Sequence, residues 1–278
     1  MQYRLRPINP GELIMLVGCG GTGGFVAEGL CRLLAGKGYR LALVDHDRVE
    51  ESNLGRQNFF RSELGHFKAE ALAKRLARNY GMEIDYLCRP VEKMGIDERG
   101  HLTIGCVDNA AAREALQYAG RYPMGGKFSY WTACDGWLID AGNGRDSGQV
   151  LVGNGLENNL SNSFYEATGV CYKLPLPTIQ QPGLLAPDVS PRRLTCAERI
   201  AAREQSPVIN QVMASLVLTF VHKLLNNTLG WMAAYVDLEQ GAVRTVDASP
   251  EAVSRITGRS IKYLTYTPRR IKPDAANG

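Results

Sequence analysis

The feature that most constrains this chain is a glycine-rich turn, Gly18-Cys19-Gly20-Gly21-Thr22-Gly23, set between apolar segments of different period. Before it, Leu13 to Val17 is a short apolar run that predicts a buried strand. After it, Phe25 to Leu34 carries apolar residues at helical spacing and stops at Gly36-Lys37-Gly38. Leu41 to Val44 is a second apolar run, closed by Asp45. Strand, tight turn, helix and strand make a βαβ unit, which belongs in a parallel sheet. In such a unit the glycines let the backbone approach a phosphate, and the helix offers free N–H groups and its positive dipole end. The plain alternative is a packing turn. Context favours phosphate, because the turn follows a strand, opens a helix and ends 22 residues before Asp45, whose carboxylate can accept from both ribose hydroxyls. To this point NAD and ATP are served equally.

The βαβ pattern continues. Leu64 to Asn79 predicts a helix with Ala69, Leu72, Ala73, Leu76 and Ala77 on one face. Ile84 to Cys88 and Leu102 to Val107 predict further strands, followed by a helix over Ala110 to Ala119. Trp137 to Ala141 and Gln149 to Val152 are strand-like and joined by turn residues, Gly142 to Asp146. Asn154 to Arg193 shows little periodicity and is expected to be a long crossover loop. From Val208 to Leu225 apolar pairs recur every four residues, which predicts a core helix; its amphipathic period argues against a membrane span. Trp231 to Asp237 and Val243 to Val246 predict a late antiparallel pair. The expected fold is α/β: a Rossmann-like, mostly parallel sheet with helices on both faces, extended by late antiparallel strands. Residues 1–250 would form one domain and 251–278 a basic, solvated tail holding Arg255, Arg259, Lys262, Arg269, Arg270 and Lys272.

Composition removes several classes of function. A net charge of +4, from 32 basic and 28 acidic residues, is too small to argue for nucleic acid. The seven cysteines include no CxxC pair, so a four-thiolate zinc site has no support. Free thiols and an N-terminus without an apolar signal segment suit a cytoplasmic protein.

The segment Asp45 to Gln57 separates the two nucleotides. It reads DHDRVEESNLGRQ, with Lys68 following eleven residues later at a helix start. A dehydrogenase has no need for so many cationic and amide groups beside its cofactor. An enzyme that breaks an α–β phosphate bond uses them to neutralise developing charge, with a carboxylate for magnesium. Cys106-Val107-Asp108-Asn109 closes a central strand, where ligands of open α/β sheets gather. Surface ion pairing is the bland account of each residue alone, and a poor account of the set.

Taken in order, GCGGTGG, DHDRVEESNLGRQNFF, GHFKAEAL and CVDNAAAR resemble the ThiF/MoeB/E1 superfamily of ubiquitin-like activating enzymes, over roughly residues 10 to 225. More narrowly, the chain looks like the ThiF-related member of plasmid-type ParB-related, ThiF-related cassettes. The resemblance implies adenylation by ATP and Mg2+ of the C-terminal carboxylate of a small β-grasp protein. It places Gly18, Gly20, Gly21 and Gly23 at the phosphates and Asp45 at the ribose, with Asp47 shaping the site. It also places Asn53, Arg56, Gln57 and Lys68 on the phosphates, and Asp108 on magnesium. Cys196 falls where some members carry a cysteine that takes the activated partner as a covalent adduct; a lone cysteine beside a helix is otherwise an inert small residue. A homodimer is implied, in which some relatives send an N-terminal arginine into the neighbouring site; Arg4 and Arg6 are the candidates here. Neither membrane nor specific nucleic acid is expected as a partner. The same site would also serve ATP-dependent cyclisation of a carboxylate on a small molecule or modified tRNA. A non-catalytic nucleotide-binding scaffold in a plasmid-maintenance complex has no use for Arg56, Lys68 and Asp108.

Overall fold

The computed structural model describes residues 2–93, 101–118, 136–186 and 207–267. Its first elements are β1 (Arg4–Leu5), β2 (Leu13–Val17), α1 (Gly21–Leu34), β3 (Arg40–Val44), α2 (Lys68–Tyr80), β4 (Asp85–Leu87), β5 (Leu102–Gly105) and α3 (Ala110–Tyr118). Then come β6 (Trp137–Asn143), β7 (Ser147–Gly153), β8 (Phe164–Tyr165), β9 (Val170–Cys171), the one-turn α4 (Pro177–Gln180) and α5 (Pro207–Leu225). The described chain closes with β10 (Trp231–Asp237), β11 (Ala242–Asp247), α6 (Pro250–Thr257), α7 (Ile261–Leu264) and β12 (Thr265–Tyr266).

Eight strands form the main sheet in the order β11-β10-β7-β6-β5-β2-β3-β4. The five from β4 to β6 are parallel, and β7, β10 and β11 extend them antiparallel. Strand β2 shows why helices must cover both faces. Ile14 and Leu16 enter a core that includes Leu30, Leu72 and Phe220, while Met15 and Val17 enter a second one with Val44, Ala112, Leu116 and Leu176. Side chains alternate across a strand, so an all-apolar strand needs two apolar environments.

Helix α5 packs against α1 and strands β6 and β7, burying Ile209, Met213, Val217, Phe220, Val221 and Leu224. Its approach to α1 is so close that a Cβ on Gly29 would lie 2.1 Å from a methyl of Leu218. Among the described residues, Val208–Leu225 is the helix long and apolar enough to cross a membrane by length and composition. Here its apolar face belongs to the core.

Two expectations need correction. The segment after Asn154 is structured through Ala186: it supplies β8, β9 and α4, and buries Leu160, Phe164, Cys171 and Leu174. Its two-residue strands are too short to leave a period in the sequence. The tail beyond residue 250 also folds, at least to Thr267. Ser249 caps α6 by accepting from the Ala252 N–H at 3.1 Å, and Ala252, Val253 and Leu264 are buried. Strand β12 then completes a four-stranded sheet, β1-β9-β8-β12, in which the chain's start meets its late segments. Basic side chains at Arg255, Arg259 and Lys262 mask these buried positions in a reading by charge.

Truncating Leu264 to alanine is expected to destabilise the fold by about 2–5 kcal/mol, as for other buried leucines. Urea unfolding measures this; an unchanged midpoint would return residues 250–267 to the status of a tail.

Candidate active site

Strand order reverses between β2 and β5, and a crevice opens at the carboxyl ends of a parallel sheet at such a point. The two backbones nearly touch there. Gly18 has φ +88°, and a Cβ on it would lie 2.4 Å from the Cys106 carbonyl oxygen. A Cβ on Gly23 would lie 1.8 Å from the Gly18 carbonyl oxygen, and one on Gly21 would lie 2.5 Å from the Asn210 amide nitrogen. These three glycines are demanded by packing inside the protein. Gly20 is different: a Cβ there would stand 3.7 Å from its nearest neighbour, the Gln57 Nε2, which is an ordinary contact. Helix α1 starts at this point without a side-chain cap. Its leading N–H groups and positive dipole end are therefore available to an anion.

Asp45 leaves β3 beside the turn. Its Oδ2 accepts from the Cys19 N–H at 2.7 Å and its Oδ1 from the Asp47 N–H at 2.8 Å. Burial raises its pKa despite these two donors and the nearby Lys68 charge. Lys68 opens α2 with its side chain only 9% exposed, and its Nζ meets Asp47 Oδ2 at 3.0 Å. Asp47, 55% exposed, thus holds a largely buried ammonium at the mouth of the site. Asp45, His46 and Asp47 bring one ligand-type atom each within 4.8 Å of one another. Each Asp45 oxygen accepts from one backbone amide and Asp47 pairs with Lys68, so both carboxylates already have protein partners while keeping acceptor sites open.

The segment between β3 and α2 is held by its own polar groups. Asn53 is buried, and its Oδ1 accepts from the Glu50 N–H at 3.0 Å. Its carbonyl accepts the N–H groups of Arg56 and Gln57. Asn53 therefore closes the turn that presents the next two side chains. Gln57 is buried over Gly20, and its Oε1 has no partner among the described residues. Arg56 is part-exposed, and its guanidinium has no partner among the described residues. An uncapped helix start and a buried amide oxygen with no partner among the described residues, on a turn whose Asp45 lies near the Lys68 charge, form an environment that fits a polyphosphate.

Asp108, at the end of β5, is exposed and accepts from the Asn109 side chain at 3.3 Å. Asn109 also caps α3, accepting from the Ala112 N–H at 2.8 Å. With no ion-pair partner among the described residues, the exposed Asp108 carboxylate, two residues beyond the Cys106 that meets Gly18, is open to a cation. Cys19 and Cys106 behave as packing residues, as expected: burial raises the Cys19 thiol well above its usual range and takes Cys106 to about 12. Cys196 lies outside the described residues. Arg4 sits on β1 in the small sheet and Arg6 follows it.

Two polar arrangements escaped the sequence reading. Arg113, the last residue of the CVDNAAAR segment, pairs with buried Asp140 at 3.2 Å and donates to the Val107 carbonyl at 2.9 Å. It thereby ties β6 to the loop that carries Asp108. Asn210, fully buried in the first turn of α5, joins Thr22, Asn143 and the Arg56 carbonyl. Its only sequence signal is an amide within an apolar helix.

The Asp45 shift has a definite sign. Its folded pKa is raised, so the contribution of Asp45 to stability is fully present below 3.8 and is lost as pH rises through the folded value. Relative to non-titrating Asp45→Asn, the wild type should lose stability as pH rises above 3.8. Denaturant midpoints across pH for both proteins measure this, and a constant difference would refute the buried-carboxylate assignment.

With this geometry in place, the relatives are informative. Ubiquitin-like modifier-activating enzyme 5 of Culex quinquefasciatus is 34% identical over 122 residues, 38% of this chain and 30% of that protein. Adenylyltransferase and sulfurtransferase MOCS3 of Mus musculus is 39% identical over 117 residues, 39% of this chain and 25% of that protein. The ATP-dependent ubiquitin transferase-like protein Cap2 of Pseudomonas aeruginosa is 36% identical over 120 residues, 41% of this chain and 21% of that protein. The alignments thus span less than a third of these proteins' lengths. Among solved structures, E. coli MccB with ATP superposes at a TM-score of 0.55 and 17% identity, covering 85% of this chain and 63% of that one. That likeness establishes a shared fold. The ThiF family model matches residues 12–251, most of the chain, and this protein belongs to the ThiF family.

Proposed function

We propose that this protein is an ATP- and Mg2+-dependent adenylyltransferase that activates the C-terminal carboxylate of a small ubiquitin-like, β-grasp protein. The observation that carries the reading is what gathers at the glycine turn: an uncapped helix start, Gln57 over Gly20 with an Oε1 that has no partner among the described residues, and Asp45 bound to the Cys19 N–H with the Lys68 charge nearby. Similarity to proteins named as ubiquitin-like modifier-activating enzymes supports it.

In the proposed reaction a carboxylate oxygen of the partner attacks the α-phosphorus of ATP, and the bond to the bridging oxygen of pyrophosphate breaks. No general base is needed, because the attacking carboxyl group is already ionised at neutral pH. Lys68 and Arg56 supply positive charge to the phosphates, and the leading amides of α1 donate to phosphate oxygens. Asp45 holds the ribose, and its two N–H donors fix the carboxylate for that task. Asp108 would hold magnesium, which supplies charge neutralisation on the departing pyrophosphate when bound. Most of the rate gain comes from in-line positioning. Cys196 is the proposed acceptor if a covalent adduct follows. The protein would act in the cytoplasm as a homodimer.

Thermal stability in ATP plus magnesium, ATP plus EDTA, AMP and NAD+ tests the nucleotide. A ligand at 100 times its dissociation constant adds about 2.7 kcal/mol. The expected result is a magnesium-dependent shift with ATP and none with NAD+; a shift with NAD+ alone would replace this reading with an oxidoreductase. Arg56→Ala and Lys68→Ala should each lower adenylate formation by roughly 100-fold or more while the fold survives. Cys196→Ala should leave that step intact and remove any covalent adduct, read by intact-protein mass spectrometry.

A further inference from the structure

We propose that Asn210 is a positioning residue: it holds the backbone of Arg56 against the glycine turn, so that the guanidinium meets the outer phosphates of a bound nucleoside triphosphate. The ligand half of this statement rests on the function proposed above. The mechanical half rests on the cluster alone.

Asn210 is fully buried, and a buried amide is tolerated only when its hydrogen bonds are made. Those bonds reach three other parts of the chain. Its Oδ1 accepts from the Asn143 side chain at 3.2 Å and lies 3.3 Å from the Thr22 hydroxyl. That hydroxyl is also 3.3 Å from Asn143 Oδ1, and its single proton serves one of the two at a time. The Asn210 Nδ2 donates to the Arg56 carbonyl at 3.4 Å. The amide can enter this space because position 21 is glycine, where a Cβ would stand 2.5 Å from Asn210 Nδ2.

The consequence falls on Arg56. Its N–H is bound to the Asn53 carbonyl at 3.2 Å and its carbonyl to Asn210, so both backbone groups are anchored. Its guanidinium has no protein acceptor among the described residues. A long cation on an anchored backbone loses less freedom when it binds an anion than one on a mobile loop. Asn143 shares the cluster with no hydrogen bond to Arg56 among the described residues, and this separates the stability of the cluster from its hold on the cation.

The test compares Asn210→Ala with Asn143→Ala, each alone and combined with Arg56→Ala. Calorimetry measures binding of magnesium with a non-hydrolysable ATP analogue, and of AMP. Amide hydrogen exchange follows the segment from Asn53 to Gln57 without nucleotide. Asn210→Ala is expected to weaken the triphosphate roughly 10-fold, leave AMP unchanged, and speed exchange at Arg56 and Gln57. Asn143→Ala should do none of these, and Asn210→Ala should add nothing in the Arg56→Ala background. Equal weakening of the triphosphate and AMP would overturn the proposal, as would additivity with Arg56→Ala or unchanged exchange at Arg56 and Gln57. If Asn210→Ala does not fold, Asn210→Asp keeps the size and acceptor oxygen and removes the donor. If the wild type binds no triphosphate at all, the proposed function falls, and the exchange comparison alone decides whether Asn210 holds the segment.

Discussion

The close passage of Gly18 beneath the Cys106 carbonyl is the constraint on which the rest of this structure depends. Two parallel strands end side by side, and their continuing chains turn away to opposite faces of the sheet. Without a side chain at position 18, β2 can turn sharply into α1 while its neighbour's carbonyl stays in place. Any Cβ there would meet backbone, which cannot swing aside as a flexible side chain can. The direction of α1 follows from this turn, and the seat of α5 on α1 follows at Gly29 and Leu218. The position of the helix start that faces the crevice is therefore set by contacts on its protein side.

Around that helix start the charges are distributed unevenly. Lys68 is buried and already has Asp47; Arg56 is nearer solvent and unpaired among the described residues. Asp45 is committed through both oxygens to backbone amides, which fixes its orientation while burial makes its charge costly. Such an arrangement holds polar groups in position before any anion arrives. Electrostatic preorganisation of this kind avoids reorganising the site at the moment of reaction.

Much of the fold was legible because it is local. β2, α1 and β3 follow from periodicity within three dozen residues, and α5 and the β10–β11 pair from strong patterns of their own. The small sheet was not legible. Its two-residue strands join Arg4–Leu5 to Val170–Cys171 and Phe164–Tyr165 to Thr265–Tyr266, pairings that leave no periodic trace. The site divides in the same way. Charged residues clustered in sequence, from Asp45 to Lys68, raised the expectation of phosphate chemistry by type and spacing. Asn53 could not be given its turn-closing part, because a side chain's partner depends on backbone geometry. Asn210 and Asp140 were invisible for a further reason: each lies in an apolar element and acquires meaning only from residues far away in sequence.

The distances along the chain bear on how the protein matures. Thr22 and Asn210 are separated by 188 residues, yet they meet at the helix start that lines the crevice. Contacts of such sequence separation close large loops and form late in folding, after local strands and helices have begun to assemble. A nascent or partly folded chain can thus hold the glycine turn while lacking the anchor that fixes the Arg56 segment. On the function proposed above, competence for a triphosphate arrives with completion of the core, and bound nucleotide would report on the whole domain rather than on its first βαβ unit.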